Sequence, residues 1–449
     1  MNKSFKQQPG LALAPAATRA GYSGFVARCI GSVTLGSLAR IGMVVCLMTS
    51  ILGTSVFVTC SASGTGIGVI LGYVGAAFDY FCRFLWLPLW LAVWILAASG
   101  EGERIRLDVG RLFPCLLFAG YSLLQLLIAD RTLAAASTER LVGIAPAVLL
   151  VLPLCERTGA RLFWAGLVVA GVLFCVSLMG SGQMVSVLRG EGFRGTLDSE
   201  AGRLDLATDT ITSSSILAQC VLALLLLLLA NFRKVSCWLV SIPVCVSLGL
   251  IAVLTGSKGP VLAFLVSVLA VTGAMGTKRA KYVVMALALL AVGLWIYGGD
   301  FTGYEGAVNH LSVGLDDANR QSFYQSVIGS APTIFGNGVG SWAPSMGYGL
   351  GGYVHNSMLE VYYEMGLVGA GLFFWAVGAV GWSLFRAARA NGDPIQGFAL
   401  AYLVYGLTLS MVSGSIFGDG ELWVGLLLGC TRFADAGEPT PLNSHCVLT

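Results

Sequence analysis

Between Gly336 and Phe374 the chain reads GNGVGSWAPSMGYGLGGYVHNSMLEVYYEMGLVGAGLFF. A glycine-rich segment dotted with aromatic residues passes through His355-Asn356-Ser357 into a helix that carries Glu360 and Glu364 and then turns wholly apolar. That last change decides the fold. An apolar run of roughly 18 residues or more is what a bilayer core of ~30 Å requires of a spanning helix. The same stretch parks a histidine at a point of entry into the membrane, where a chemical role is worth seeking.

Similar apolar runs recur near 41–60, 66–98, 112–129, 141–155, 161–180, 212–230, 237–254, 260–275, 282–298, 357–385, 396–414 and 421–433. Of the 449 residues 56% are hydrophobic and 11% charged, against about 25% charged in ordinary soluble domains. So few charges cannot cover a water-soluble surface, and the expected fold class is all-α, a polytopic transmembrane helical bundle. The net charge of +3 is too small to suggest nucleic acid as a partner. The cysteines are scattered, with Cys46, Cys60, Cys115, Cys175, Cys220 and Cys245 in or beside apolar runs, and there is no CxxC pair or Cys/His cluster. They read as small buried hydrophobes, with neither a zinc site nor a disulfide framework indicated.

Lysine and arginine accumulate on the cytoplasmic side of membrane proteins, which orients the spans. The basic clusters are Arg104 with Arg106, Arg157 to Arg161, Arg233-Lys234, Lys278-Arg279 with Lys281, and Arg386 to Arg389. Counting from them gives about 12 spans with both chain ends in the cytoplasm. Residues 1–40 carry basic residues and no acidic ones, and read as a cytoplasmic, disordered leader. Residues 41–180 form the N-terminal transmembrane helices and 181–211 a first periplasmic loop. The central transmembrane helices follow at 212–298, and a large periplasmic loop at 299–356. The C-terminal transmembrane helices occupy 357–435, and 436–449 is a cytoplasmic tail. The segment 66–98 is read as one span with an irregular lead-in, where Asp79 and Arg83, four residues apart, can pair on one helix face.

The two outer loops concentrate polar and aromatic residues, and loops this long are functional or disordered. Tyr304, Phe323, Tyr324, Trp342, Tyr348 and Tyr353 offer flat surfaces of the kind that stack on sugars. Ser357-Met358-Leu359-Glu360 matches the S-x-x-E capping box, with Ser357 as N-cap and Glu360 reaching back to its amide. His355 then sits just before a helix N-terminus, whose free amides attract phosphate. It can serve as a general base for a hydroxyl or as a donor to phosphate; taken alone, it is equally an interfacial histidine with no role. Lys258, within Thr255 to Pro260, lies on the outer side against the charge trend, and either pairs with something or snorkels toward headgroups. Arg203 and Arg320 lie in the outer loops, where single arginines are ordinarily solvated. Together, three cations and a histidine on one face suit a pyrophosphate leaving group and an acceptor hydroxyl. No Asp-x-Asp metal motif occurs in these loops, so no metal and no cofactor is expected.

At these residues the chain resembles the O-antigen ligase and polysaccharide polymerase superfamily of bacterial inner-membrane proteins. The resemblance is carried by Gly336 to Gly340, His355-Asn356, Leu359-Glu360 and Glu364-Met365-Gly366, with Thr255 to Gly259, Gly202-Arg203-Leu204 and Asn319-Arg320 upstream. It runs from about Arg203 to the C-terminus. Lys258 stands where the family usually has arginine, which keeps the charge and loses the bidentate fork. Thr210 to Ser215 has serines where the family commonly has asparagine. The resemblance implies a metal-independent, inverting glycosyltransferase acting from the periplasmic face. Its donor is an undecaprenyl-pyrophosphate-linked glycan, and its acceptor a glycan, lipid A-core or a protein side chain. Membrane lipid and other polysaccharide assembly proteins are the further partners. By the same likeness His355 activates the acceptor hydroxyl, Arg203, Lys258 and Arg320 hold the pyrophosphate, and Asn356 and Glu360 support them.

A glycolipid flippase or secondary transporter is the alternative from another class, since such proteins place ionisable residues within the membrane. The chain shows no internal repeat, and its spans from Thr212 onward read as nearly free of charge, which favours a surface-facing enzyme. A non-catalytic scaffold in an export complex is a third reading, in which His355 is dispensable.

Overall fold

The computed structural model describes residues 39–43, 89, 91–93, 95, 107–135, 137–138, 141, 157–180, 210–230, 245, 258–276, 318–330, 333–348 and 354–431. These residues are mostly helical. In chain order the helices are α1 Val109–Ile128, α2 Arg157–Gly180, α3 Thr210–Ala230, α4 Lys258–Met275, α5 Ala318–Ile328, α6 Trp342–Ser345, α7 Ser357–Asn391, α8 Pro394–Ser413 and α9 Gly420–Gly429. The apolar runs expected near 112–129, 161–180, 212–230, 260–275, 357–385, 396–414 and 421–433 fall on α1 to α4 and α7 to α9. Three stretches, Val109–Ile128, Ser357–Ala390 and Pro394–Val412, are long and apolar enough to cross a membrane. The expected runs at 66–98, 141–155, 237–254 and 282–298, the Asp79–Arg83 pair, loop 181–211 with Arg203 short of its last two residues, and the C-terminal tail lie outside the described residues, apart from isolated positions.

Helix α8 forms the middle of the bundle. Phe398, Ala399, Leu400, Ala401, Tyr402, Leu403 and Tyr405 are all buried. Phe163 and Trp164 of α2 pack on Phe398, Trp164 in a stack with centroids 5.4 Å apart. On the other side α9 lies close against α8. A Cβ on Gly406 would come within 2.6 Å of the Glu421 and Leu422 backbone, and one on Gly425 within 2.7 Å of Leu403 Cα. Small residues at such a seam let helix backbones touch, which is how helices pack where lipid removes the hydrophobic drive. By contrast α1 leaves Leu116, Leu123, Leu124, Leu127 and Ile128 exposed, and α7 exposes Phe374, Trp375 and Trp382. Apolar exposure on that scale suits a lipid-facing surface.

Contacts near the helix ends set the direction in which most of the bundle runs. Arg111 at the start of α1 donates to Gly429 O at the end of α9 (2.9 Å), and Asp108 N donates to Cys430 O (2.8 Å). Met275 at the end of α4 lies against Gly397 at the start of α8. Ser415, just past α8, reaches Glu360 in the first turn of α7. Ser215 and Gln219 of α3 pair with Tyr405 and Tyr402 of α8 in antiparallel order. The starts of α3, α4, α7 and α9 and the ends of α1 and α8 therefore gather at one end of the bundle. His355 is at that end.

Helix α7 is broken rather than continuous. Gly366 has φ 71, a left-handed value that ends the regular hydrogen-bond ladder. The carbonyls of residues 363 to 365 and the amides just beyond the break need other partners, because in lipid every backbone group must be satisfied within the protein. The segment 333–338 supplies most of them. Asn337 N and Gly338 N donate to Tyr363 O and Glu364 O at 3.1 and 3.0 Å, while Leu367 N and Val368 N donate to Thr333 O and Ile334 O at 3.0 and 3.1 Å. From α1, the Tyr121 hydroxyl shares its proton between Met365 O (3.0 Å) and Phe335 O (3.2 Å), and Gln125 Nε2 donates to Phe335 O (3.0 Å). The glycine-rich segment is thus a strap across a broken helix. It needs Gly336 (φ 90), where a Cβ would fall 2.0 Å from Glu364 O.

Candidate functional site

His355 is the one residue other than glycine with positive φ among the described residues, at 57°. Left-handed backbone costs a bulky L-residue energy, and such conformations persist where the surroundings over-determine them. The surroundings here are aromatic. The imidazole stacks on Phe323 of α5 with rings 12° from parallel and centroids 6.4 Å apart. Phe323 meets Trp342 and Tyr348 edge-on at 5.2 and 5.1 Å, and Trp342 and Tyr348 stack on each other at 5.5 Å. Trp342 is buried while Tyr348 keeps an exposed face. Ser345 Oγ and Tyr363 OH, 2.9 Å apart, tie α6 to α7 beneath this box.

The entry into α7 corrects the expected capping box. Asn356, extended at φ −153, is the N-cap, and its Oδ1 accepts from Met358 N and Leu359 N, both at 3.1 Å. Ser357 is the first helical residue; its Oγ is fully buried with no hydrogen-bond partner. Asparagine is as good an N-cap as serine, and one position earlier it brings two amides within reach. Glu360 N donates to Asn356 O (2.9 Å), so the first-turn amides at 358 to 360 are already engaged. That revises the expected phosphate-binding helix N-terminus: few free amides remain, and the charges have to come from side chains.

Glu360 does not fold back on its own helix. Its carboxylate accepts from Ser415 Oγ (2.8 Å) and Ile416 N (2.9 Å), docking the α8–α9 loop under the first turn of α7. Around it lies a polar network that sequence reading missed. Gln219 of α3 donates to Glu421 Oε1 (3.2 Å) and to Ser215 Oγ (3.0 Å), and Tyr402 OH donates to Gln219 Oε1 (3.3 Å). Ser215 Oγ and Tyr405 OH are 2.9 Å apart. Asp419, at the N-cap of α9, is 6% exposed. Burial, followed by the nearby Glu421 and Glu360 charges, pushes its carboxyl well above the usual range. The spans after Thr212 are therefore not free of acid groups: Glu360, Glu364 and Asp419 are buried at this end, and the half-buried Glu421 lies near them. Single polar residues such as Gln219 and Glu421, each inside an apolar run, were the signal available in the sequence.

Of the expected site residues, His355, Asn356 and Glu360 come together at the mouth of α7. Lys258 is the first residue of α4, which starts at the same end, and Arg320 lies on α5 one turn before Phe323. Arg203 lies outside the described residues. No group of three or more His, Cys, Asp or Glu among the described residues has the arrangement of a metal site. No family model matches this chain and no curated protein matches it. What fold and site define together is a helical membrane protein with a strained histidine in an aromatic box at one end of its bundle.

Proposed function

We propose that the chain is an inner-membrane glycosyltransferase that moves an undecaprenyl-pyrophosphate-linked oligosaccharide en bloc to an acceptor hydroxyl in surface polysaccharide synthesis. The observation that supports it most is the placing of His355, held in a left-handed turn against Phe323 of the helix that bears Arg320, at the bundle end where the helix bearing Lys258 begins. In this reading that end faces the periplasm. The acceptor O–H gives its proton to His355 as its oxygen attacks the anomeric carbon. The bond from that carbon to the phosphate oxygen breaks with inversion, and the electron pair leaves with the pyrophosphate. Lys258, Arg320 and Arg203 neutralise the charge that develops there. Tyr348, which stacks on the buried Trp342 and keeps an exposed face, offers a sugar a flat surface near the histidine. Asn356 and Glu360 hold the histidine's segment to the bundle rather than touching substrate.

The test is mass spectrometry of lipid-linked glycans from cells whose sole copy carries His355→Ala. Accumulated single repeats identify a polymerase and accumulated long chains a ligase, while an unchanged pool with normal surface glycan removes the enzyme reading. One observation favours the transporter alternative: Glu360 and Asp419, both buried, with Glu421 near them, form the kind of ionisable cluster that proton-coupled carriers use. Loss of chemical transfer in purified His355→Ala separates the two.

A further inference from the structure

We propose that Asp419 is a positioning residue whose buried carboxyl, wedged against Gly414, keeps the α8–α9 loop docked under the α7 entry that carries His355. The inference takes His355 as the site of the proposed transfer, and its mechanical part stands without that reading.

The loop spans barely six residues between α8 and α9, and makes two kinds of contact. Upward, Ser415 and Ile416 bind the Glu360 carboxylate. Inward, the Asp419 carboxyl is wedged against the backbone: a Cβ on Gly414 would fall 2.0 Å from Asp419 Oδ2 and 2.6 Å from Ser410 Cα. Asp419 Oδ2 is buried without a hydrogen-bond partner, and the carboxyl does not cap α9. The titratable groups facing it are Glu360 on α7, Glu421 on α9, and Tyr402 and Tyr405 on α8. From α3 the network adds the uncharged Ser215 and Gln219. Among the described residues every one of these titratable neighbours is acidic. An ionised carboxylate there would meet like charge in a low-dielectric site with no donor to Oδ2, a combination that favours the protonated acid.

Linkage gives the sign. The folded protein holds this proton more tightly than the unfolded chain does, so the contribution is most favourable below the usual carboxylate range. It is lost as pH rises through the raised value. Ionisation would repel Glu360 and Glu421 and release the loop from Glu360, loosening the anchor of the His355 segment. One linked proton limits the effect to about tenfold in loop opening per pH unit.

The experiment is hydrogen exchange by mass spectrometry on full-length protein in nanodiscs, following the peptide that contains Ile416 from pH 6 to 9.5 and correcting for intrinsic exchange. Wild type is expected to lose protection as pH climbs, with a slope of up to about tenfold per unit. Asp419→Asn, which mimics the neutral acid, is expected to stay protected throughout and to keep surface glycan output in cells grown at alkaline pH, where wild type falls. Gly414→Ala, which displaces the carboxyl without removing it, is expected to expose the loop at every pH. Equal, flat protection in wild type and Asp419→Asn overturns the proposal, as does loss of protection in Asp419→Asn at all pH values. If His355→Ala leaves glycan output normal, the transfer reading fails while the exchange result still decides the role of Asp419.

Discussion

Gly366→Ala concentrates the consequences of the broken helix in one methyl group. The residue sits at φ 71, where an alanine costs about 1–2 kcal/mol through its own backbone. The added Cβ would lie 2.3 Å from Gly336 N and 2.6 Å from both Ile334 O and Thr333 O. All three are backbone atoms, so no rotamer change relieves the contact and the 333–338 strap must move away. Moving it endangers four bonds: Leu367 N to Thr333 O, Val368 N to Ile334 O, Asn337 N to Tyr363 O and Gly338 N to Glu364 O. At about 0.5–1.5 kcal/mol net for each, that is ~2–6 kcal/mol, for a total of ~3–8 kcal/mol. The loss is comparable with the ~5–15 kcal/mol that holds a typical domain together. Gly371→Ala in the same helix is the control, since its Cβ meets nothing within 4 Å; it should be neutral or gain about 0.5–1 kcal/mol. The assay is thermal unfolding of both variants purified in the same detergent, with yield from the membrane fraction as a second readout. Gly366→Ala unfolding at the wild-type temperature would refute the account of the break.

Asn356→Ala removes the oxygen that caps two amides, and should cost about 0.5–2 kcal/mol, read as a lower unfolding temperature; Asn356→Asp should restore it. Glu360→Ala takes the carboxylate acceptor away from the Ser415 hydroxyl and the buried Ile416 amide, at about 1–3 kcal/mol for the amide, with faster exchange in the α8–α9 loop as the check. His355→Gly keeps the left-handed turn and should leave unfolding near wild type, whereas His355→Val, β-branched at positive φ, should destabilise by about 1–3 kcal/mol. In both variants transfer should be abolished.

The helices were readable because a span must be apolar along its length, so α1, α7 and α8 announce themselves by composition. His355-Asn356 and the glycines before it stood out in the sequence as a candidate site, and Gly336 among them serves the strap across the broken helix. Three things were hidden. The break at Gly366 sits among Met365 and Leu367, and a single glycine in an apolar run does not say whether the helix continues; the partners that satisfy it come from 333–338 and from Tyr121 and Gln125, far away in sequence. The N-cap was displaced by one residue because Asn356 and Ser357 both cap well, and packing that buries Ser357 decides between them. The Gln219–Glu421 bond joins α3 to α9 across some 200 positions, a pairing that needs the bundle to exist before it can be seen.

The most direct test of the central claim uses purified protein in nanodiscs with an undecaprenyl-pyrophosphate-linked oligosaccharide, an acceptor glycan and excess EDTA, measuring free undecaprenyl pyrophosphate by mass spectrometry. Wild type should release it in step with formation of the lengthened acceptor, and His355→Ala should release none while unfolding at a comparable temperature. Equal release from both proteins, or none from wild type with the donor merely moved across the bilayer, would contradict the glycosyltransferase assignment.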